Sequence, residues 1–297
     1  MRHWKTNIIF AGAVLAGLAL CYVLINIVFV DFMVDLWWFQ SLDYGGYFWL
    51  RLLYRYAIFL AVTVLFFLIF FLGAQNWINK HLKYTHGYGV AMNPAAQGGE
   101  EAMTWFIGDL PPRSQYGLSI EQPGIYYGLE PYDYVIAPND NHEFDYPEGE
   151  SFVMTDYSGT GGVPVSSLFS KLMFAVYFKE KNIFFTPETN KDSRILFRRN
   201  IVEAIKTLTP FFMLDVDPYV VVTSRRIYWI QDAYTTSDWY PIAQPYSRAS
   251  GDFNYIRNSV KIVLDAYDGS VSYYIADLED PLIQAYSRMY PGLLTSM

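Results

Sequence analysis

Cysteine is almost absent from this chain: Cys21 is the only one in 297 residues. A single thiol excludes an intrachain disulfide, a Cys-based zinc site and an extracellular disulfide framework. Histidine is scarce too. His3, His81, His86 and His142 lack the i, i+4 spacing that sets two imidazoles on one helix face for zinc, so they are read as structural or surface groups. Charge is thin, with 17% charged against 53% hydrophobic residues, which is apolar for a wholly soluble chain. Positive charge is short where a phosphate partner would need it: residues 84–297 hold 26 of the 29 acidic and 15 of the 21 basic side chains. Nucleic acid is therefore not an expected partner. No Gly-x-Ser-x-Gly elbow and no P-loop Lys-Ser/Thr occur, and there is neither an internal repeat nor a low-complexity tract.

What is present is apolar length. After Arg2 and Lys5, Ile8 to Val30 runs 23 residues without a charge, and Tyr56 to Ala74 runs another 19. At a helical rise of about 1.5 Å per residue either run can cross the roughly 30 Å of a bilayer core. The first is too long, and lacks the small-residue cleavage site, for a secretory leader. The expectation is an α+β domain anchored by an N-terminal two-helix transmembrane hairpin. Residues 1–83 form the anchor (spans 8–30 and 56–74). Residues 31–55 are an aromatic connector that Trp37, Trp38, Phe39, Tyr44, Tyr47, Phe48 and Trp49 hold at the membrane interface.

Residues 84–297 read as one mixed α+β domain. Gly, Pro and Asn punctuate residues 85–124, so only short elements fit there. Short strands are expected at Ile125–Tyr127, Tyr132–Ala137 and Phe152–Tyr157. Ser166 or Ser167 can cap a helix through Leu168, Leu172, Phe174 and Val176, and a second helix fits Asp192–Thr207. A hairpin near 219–231 joins Val220–Val222 to Ile227–Ile230, whose continuous apolar runs predict cover on both faces and a place in the core. A second hairpin spans 258–277: Val260, Ile262 and Leu264 alternate with Lys261 and Val263, and Asp268-Gly269 supplies a type I′ turn. Pro281 starts a last helix that Pro291-Gly292 stops.

Few residues suggest chemistry. Asp215, Asp217, Asp232 and Asp238 flank the first hairpin and are candidate oxygen ligands for Ca²⁺, which takes six to eight of them. Their spacing does not fit an EF-hand loop, and turn and cap chemistry is the stronger reading. Gly159 to Gly162 before a helix could bind an anion on backbone N–H groups, though a plain turn explains it better. No catalytic residue and no cofactor other than possible calcium is assigned. The 26 tyrosines and 8 tryptophans suit a membrane interface and a β-rich core, with a sugar-binding surface as the competing use.

Longer motifs carry a resemblance. HGYGV (His86–Val90), GIYYG (Gly124–Gly128), EFDYP (Glu143–Pro147), DSRILFRRN (Asp192–Asn200), RIYWIQDAYTTSDWYP (Arg226–Pro241) and NYIRNSVKIVLDAYDGSV (Asn254–Val271) occur in one order. With VDLWWFQSLDYGGYFWLRLL (Val34–Leu53) near the start, the chain resembles UPF0182, an uncharacterised family of large multi-spanning bacterial membrane proteins. The resemblance implies about seven spans before an extracytoplasmic region. Set against that pattern, the expectation is a junction near Gly73–Gln75 in place of the later spans and a stop short of the family's C-terminal portion, as in a shortened relative or a truncated reading frame. The expected role is a structural or interaction component of the bacterial envelope, with the lipid bilayer and membrane or envelope proteins as partners. The alternatives are polysaccharide binding or processing, and membership of a transport assembly. Residues 84–297 fall on the cytoplasmic face by positive-inside counting, with Arg2, Lys5, Lys80 and Lys83 set against Arg51 and Arg55. The resemblance places them outside.

Overall fold

The computed structural model describes residues 28–77, 120–148, 151–248 and 251–296, the isolated positions 14, 17 and 22, and two short paired strands, Ile107–Gly108 and Arg113–Ser114. Span 8–30 lies almost wholly outside the described residues. Two helices open the described chain: α1, Val30–Ser41, and α2, Gly45–Trp77. Further on come α3 (Leu168–Tyr177), a single turn at Asn182–Phe185, α4 (Ile201–Leu208) and α5 (Pro281–Met289).

The core is built on a six-stranded sheet. Its strands are β1 (Met213–Leu214), β2 (Tyr219–Val222), β3 (Ile227–Ser237), β4 (Tyr255–Asp265), β5 (Val271–Ile275) and β6 (Leu294–Ser296). The order is β6-β5-β4-β3-β1, and β2 also pairs with β3. All pairs are antiparallel except β5 with β6. The alternation read in β4 is realised: Val260, Ile262 and Leu264 are buried opposite Ile275, Tyr273 and Val271 of β5. Period-two patterning commits every apolar residue of such a strand to one face. That face packs with Ile201, Ala204, Ile205 and Leu208 of α4 in one core cluster. A smaller three-stranded sheet joins Val135–Ala137 and Val163–Pro164 to Arg194–Leu196.

Several expectations change. The first hairpin forms with Val222 opposite Ile227, but β2 is an edge strand with Val220 and Val221 about two-fifths exposed. A continuous apolar run does not by itself report a covered strand. The helix expected over Asp192–Thr207 divides. Arg194–Leu196 is a buried strand, Arg198 sits at φ +53°, and the helix starts only at Ile201, capped by Asn200, whose Oδ1 accepts from the Glu203 N–H. A left-handed residue cannot sit inside an α-helix, so the two elements must separate there. The β4–β5 turn is not the two-residue type I′ form: Asp265 N–H bonds Ser270 O across a four-residue loop, in which Gly269 alone has positive φ (+70°). Of the three short strands expected earlier in the domain, Ile125–Tyr127 is irregular, while Val135–Ala137 and Ser151–Thr155 form.

The aromatic segment 31–55 is not merely a connector between two spans. It folds as α1, a turn and the first three turns of α2, and Val30, Val34, Trp38, Phe39 and Tyr47 are buried in the domain's own core. A two-helix transmembrane hairpin is not shown; one described helix, α2, is long and apolar enough over Gly45–Val64 to cross a membrane.

Candidate functional site

The base of α2 is fixed by residues three and four apart, which share one helix face. Tyr44, just ahead of the helix, donates its hydroxyl to Val271 O at 2.7 Å, and Tyr47 donates to Leu208 O at 2.6 Å. Arg51 Nη1 donates to Thr207 O at 2.6 Å and Leu208 O at 3.2 Å, and Tyr54 donates to Met289 O at 3.4 Å. Tyr47 and Arg51 thus satisfy carbonyls at the C-terminal end of α4 that have no partner within that helix, and the cation suits the negative end of its dipole. On α1, Asp35 pairs with Arg198, whose guanidinium lies 4.4 Å from the centre of the Trp38 ring. A cation over an indole face stabilises this contact further.

Beyond this base the helix changes character. Leu53, Tyr56, Ile58, Phe59, Leu60, Val62 and Val64 are between 51% and 68% exposed. Positions 53, 56 and 60 make one stripe, while 58, 59 and 62 lie round the helix from it, so apolar surface covers the circumference. A helix apolar on every side is a buried or membrane helix, and the described residues provide nothing to bury this one.

The four candidate calcium ligands do not converge. Asp215 accepts the Val216 N–H at 2.8 Å and the Tyr234 hydroxyl at 3.3 Å. Asp232, on the neighbouring strand, pairs with Lys261 at 2.6 Å and accepts from Asn258 Nδ2 at 3.2 Å. Asp217 and Asp238 are exposed. No group of three or more His, Cys, Asp or Glu side chains suited to a metal is found among the described residues. Two N–H groups of the Gly159–Gly162 loop are committed: Thr160 N–H donates to Asp268 Oδ1 at 3.0 Å and Gly161 N–H to the Tyr157 hydroxyl at 2.9 Å. His142 lies 2.8 Å from Asp156 on the surface.

Two buried carboxylate networks escaped the sequence reading. Arg226, in the β2–β3 turn, bridges Asp265 at 2.8 Å and Asp268 and so ties that turn to the β4–β5 turn, while Asp268 Oδ1 accepts the Thr160 N–H of the glycine loop. Asp280 caps α5 through the Leu282 N–H and accepts from the hydroxyls of Thr235, Ser259 and Tyr255. Burial alone would raise its pKa, but the Ser259, Thr235 and Tyr255 hydroxyls and the Leu282 N–H outweigh that and hold it below the usual carboxylate range. Asp280-Pro281 was the readable signal for the cap; the three hydroxyls come from distant strands and left none.

The fold and this helix define an α+β domain with an apolar helix growing out of its core. The model of the uncharacterised protein family UPF0182 matches residues 12–74 and 72–297, and the chain belongs to that family. It is similar to UPF0182 proteins of Nitrosococcus oceani (60% identical over 232 residues, 74% of this chain and 27% of the relative) and Syntrophobacter fumaroxidans (56% over 236 residues, 80% and 27%). To that of Methylococcus capsulatus it is 49% identical over 226 residues, 74% of this chain and 25% of the relative. The chain therefore spans about a quarter of the length of these curated relatives. No solved structure matches it.

Proposed function

We propose that the protein is a membrane-anchored component of a larger envelope assembly, with a structural or interaction role, and that α2 is its anchor. The observation that carries this reading is the contrast along α2, docked in the domain core up to Tyr54 and apolar all round beyond Arg55. Docking has a topological consequence: residues 28–55 and 120–296 occupy the same face of the bilayer. The apolar shaft has nothing among the described residues to cover it and takes lipid or neighbouring polypeptide, which suits a component of an assembly. Carbonate extraction of membranes carrying the tagged chain should leave it in the pellet, and the detergent-solubilised chain should run on a native gel above its 34.4 kDa monomer mass. Release by carbonate would refute anchoring, and a strict monomer would refute the assembly.

Polysaccharide binding is the second reading, supported by Trp239, which is 87% exposed and followed in the chain by the exposed Tyr240. Glycan-array binding that vanishes in Trp239→Ala would favour it. A transport role would require the same partners as the assembly.

A further inference from the structure

At the foot of α2, where the docked base meets the apolar shaft, a cavity of about 320 Å³ opens between α1 and α2. Its walls include Phe32, Leu52 and Tyr56, and its polar groups include Arg51, Arg55 and Thr207. We propose that this cavity binds the phosphate headgroup of an anionic phospholipid. This inference rests on the anchoring reading and adds a ligand to it.

The charge balance carries the argument. Asp35 also lines the cavity, but its carboxylate is already paired with Arg198. Arg51 is held by two uncharged carbonyls, and Arg55 is exposed with no ionic or hydrogen-bonding partner among the described residues. Two guanidinium groups four residues apart on a helix repel each other, and an anion between them removes that repulsion. Position selects the kind of anion. Arg55 is the last charge before the uncharged run Tyr56–Ala74, so the pair sits where α2 would leave water for lipid, the level at which headgroups lie. Basic pockets between membrane helices bind lipid headgroups on the same principle. The cavity admits a headgroup but not two acyl chains, which would run out along the exposed apolar shaft.

The test is native mass spectrometry of the full chain in nonionic detergent, titrated with phosphatidylglycerol or phosphatidylcholine, with inorganic phosphate as competitor. Phosphatidylglycerol should be retained about fivefold or more over phosphatidylcholine, the scale expected of one basic residue near a lipid surface. Arg55→Gln should abolish most of that preference without changing the melting temperature, and Arg55→Lys should keep it. Equal retention of the two lipids, an unchanged preference in Arg55→Gln, or equal loss in Arg55→Lys would overturn the proposal. Displacement by inorganic phosphate would overturn it in favour of a free-anion site. A chain that resists carbonate extraction yet shows no lipid preference sinks the headgroup site alone; a chain released by carbonate sinks the anchoring reading and this site with it.

Discussion

Asp280 has no exposed surface and is surrounded by donors, so its charge is held by Thr235, Ser259, Tyr255 and the Leu282 N–H. Replacing it with Ala removes the α5 cap and strands buried hydroxyls, each costing about 1–3 kcal/mol when unsatisfied. Asp280→Ala is therefore expected to lower stability by at least about 3 kcal/mol, read by denaturant unfolding in detergent. The sign of the pH dependence follows from the depressed pKa. Its stabilisation is complete above the unfolded value of about 3.9 and is lost as pH falls through the lower folded value. Wild type should weaken over that acid window more steeply than Asp280→Asn, and parallel curves would remove Asp280 as the cause. Gly269 is the second sensitive residue. With φ at +70° and a Cβ that would meet the Tyr127 ring at 2.4 Å, Gly269→Val combines backbone strain with overpacking. A loss of about 2 kcal/mol or more is expected in thermal melts, and an unchanged melting temperature would exclude this geometry.

At the scale of elements, α1 and the base of α2 behave as part of the domain. Trp38→Ala should cost about 3–5 kcal/mol, as for a large core side chain, because Trp38 is 3% exposed and carries both Phe39 and Arg198 against it. A membrane-interface tryptophan would lose far less, so the melt separates the two placements. Much of the element plan was legible. Ser167 accepts from Ser170 N–H to cap α3, Asp280-Pro281 opens α5, and the Val260, Ile262, Leu264 alternation set one face of β4. These signals are local, and local chemistry decides them. The failures were decided by tertiary contact. Phe39 and Trp38 have the composition of an interfacial belt, and only their contacts with Tyr47 and Phe197 make them core. Ile195 belongs to an apparent helical stripe but pairs with Ile136 and Val163 in a sheet assembled from distant segments. Of the candidate site, the uncharged run after Arg55 was readable, whereas the cavity between α1 and α2 depends on how two helices meet.

At the scale of the molecule, the docked base binds the location of residues 28–55 to that of residues 120–296. Counting Arg51 and Arg55 against the domain's side, as a hairpin requires, loses its premise once Arg51 donates to α4. The two segments matched to UPF0182 meet at residues 72–74, beyond the docked base, so the packing joins the first segment to the second. The most direct measurement is paired cysteine accessibility in a Cys21→Ser background. Gln40→Cys on α1 and Glu279→Cys before α5 are both exposed positions and would be probed in intact cells with a membrane-impermeant maleimide. The predicted result is matched behaviour, with both labelled or both protected until lysis. Labelling of one and protection of the other would place the two segments on opposite faces and contradict the docked arrangement.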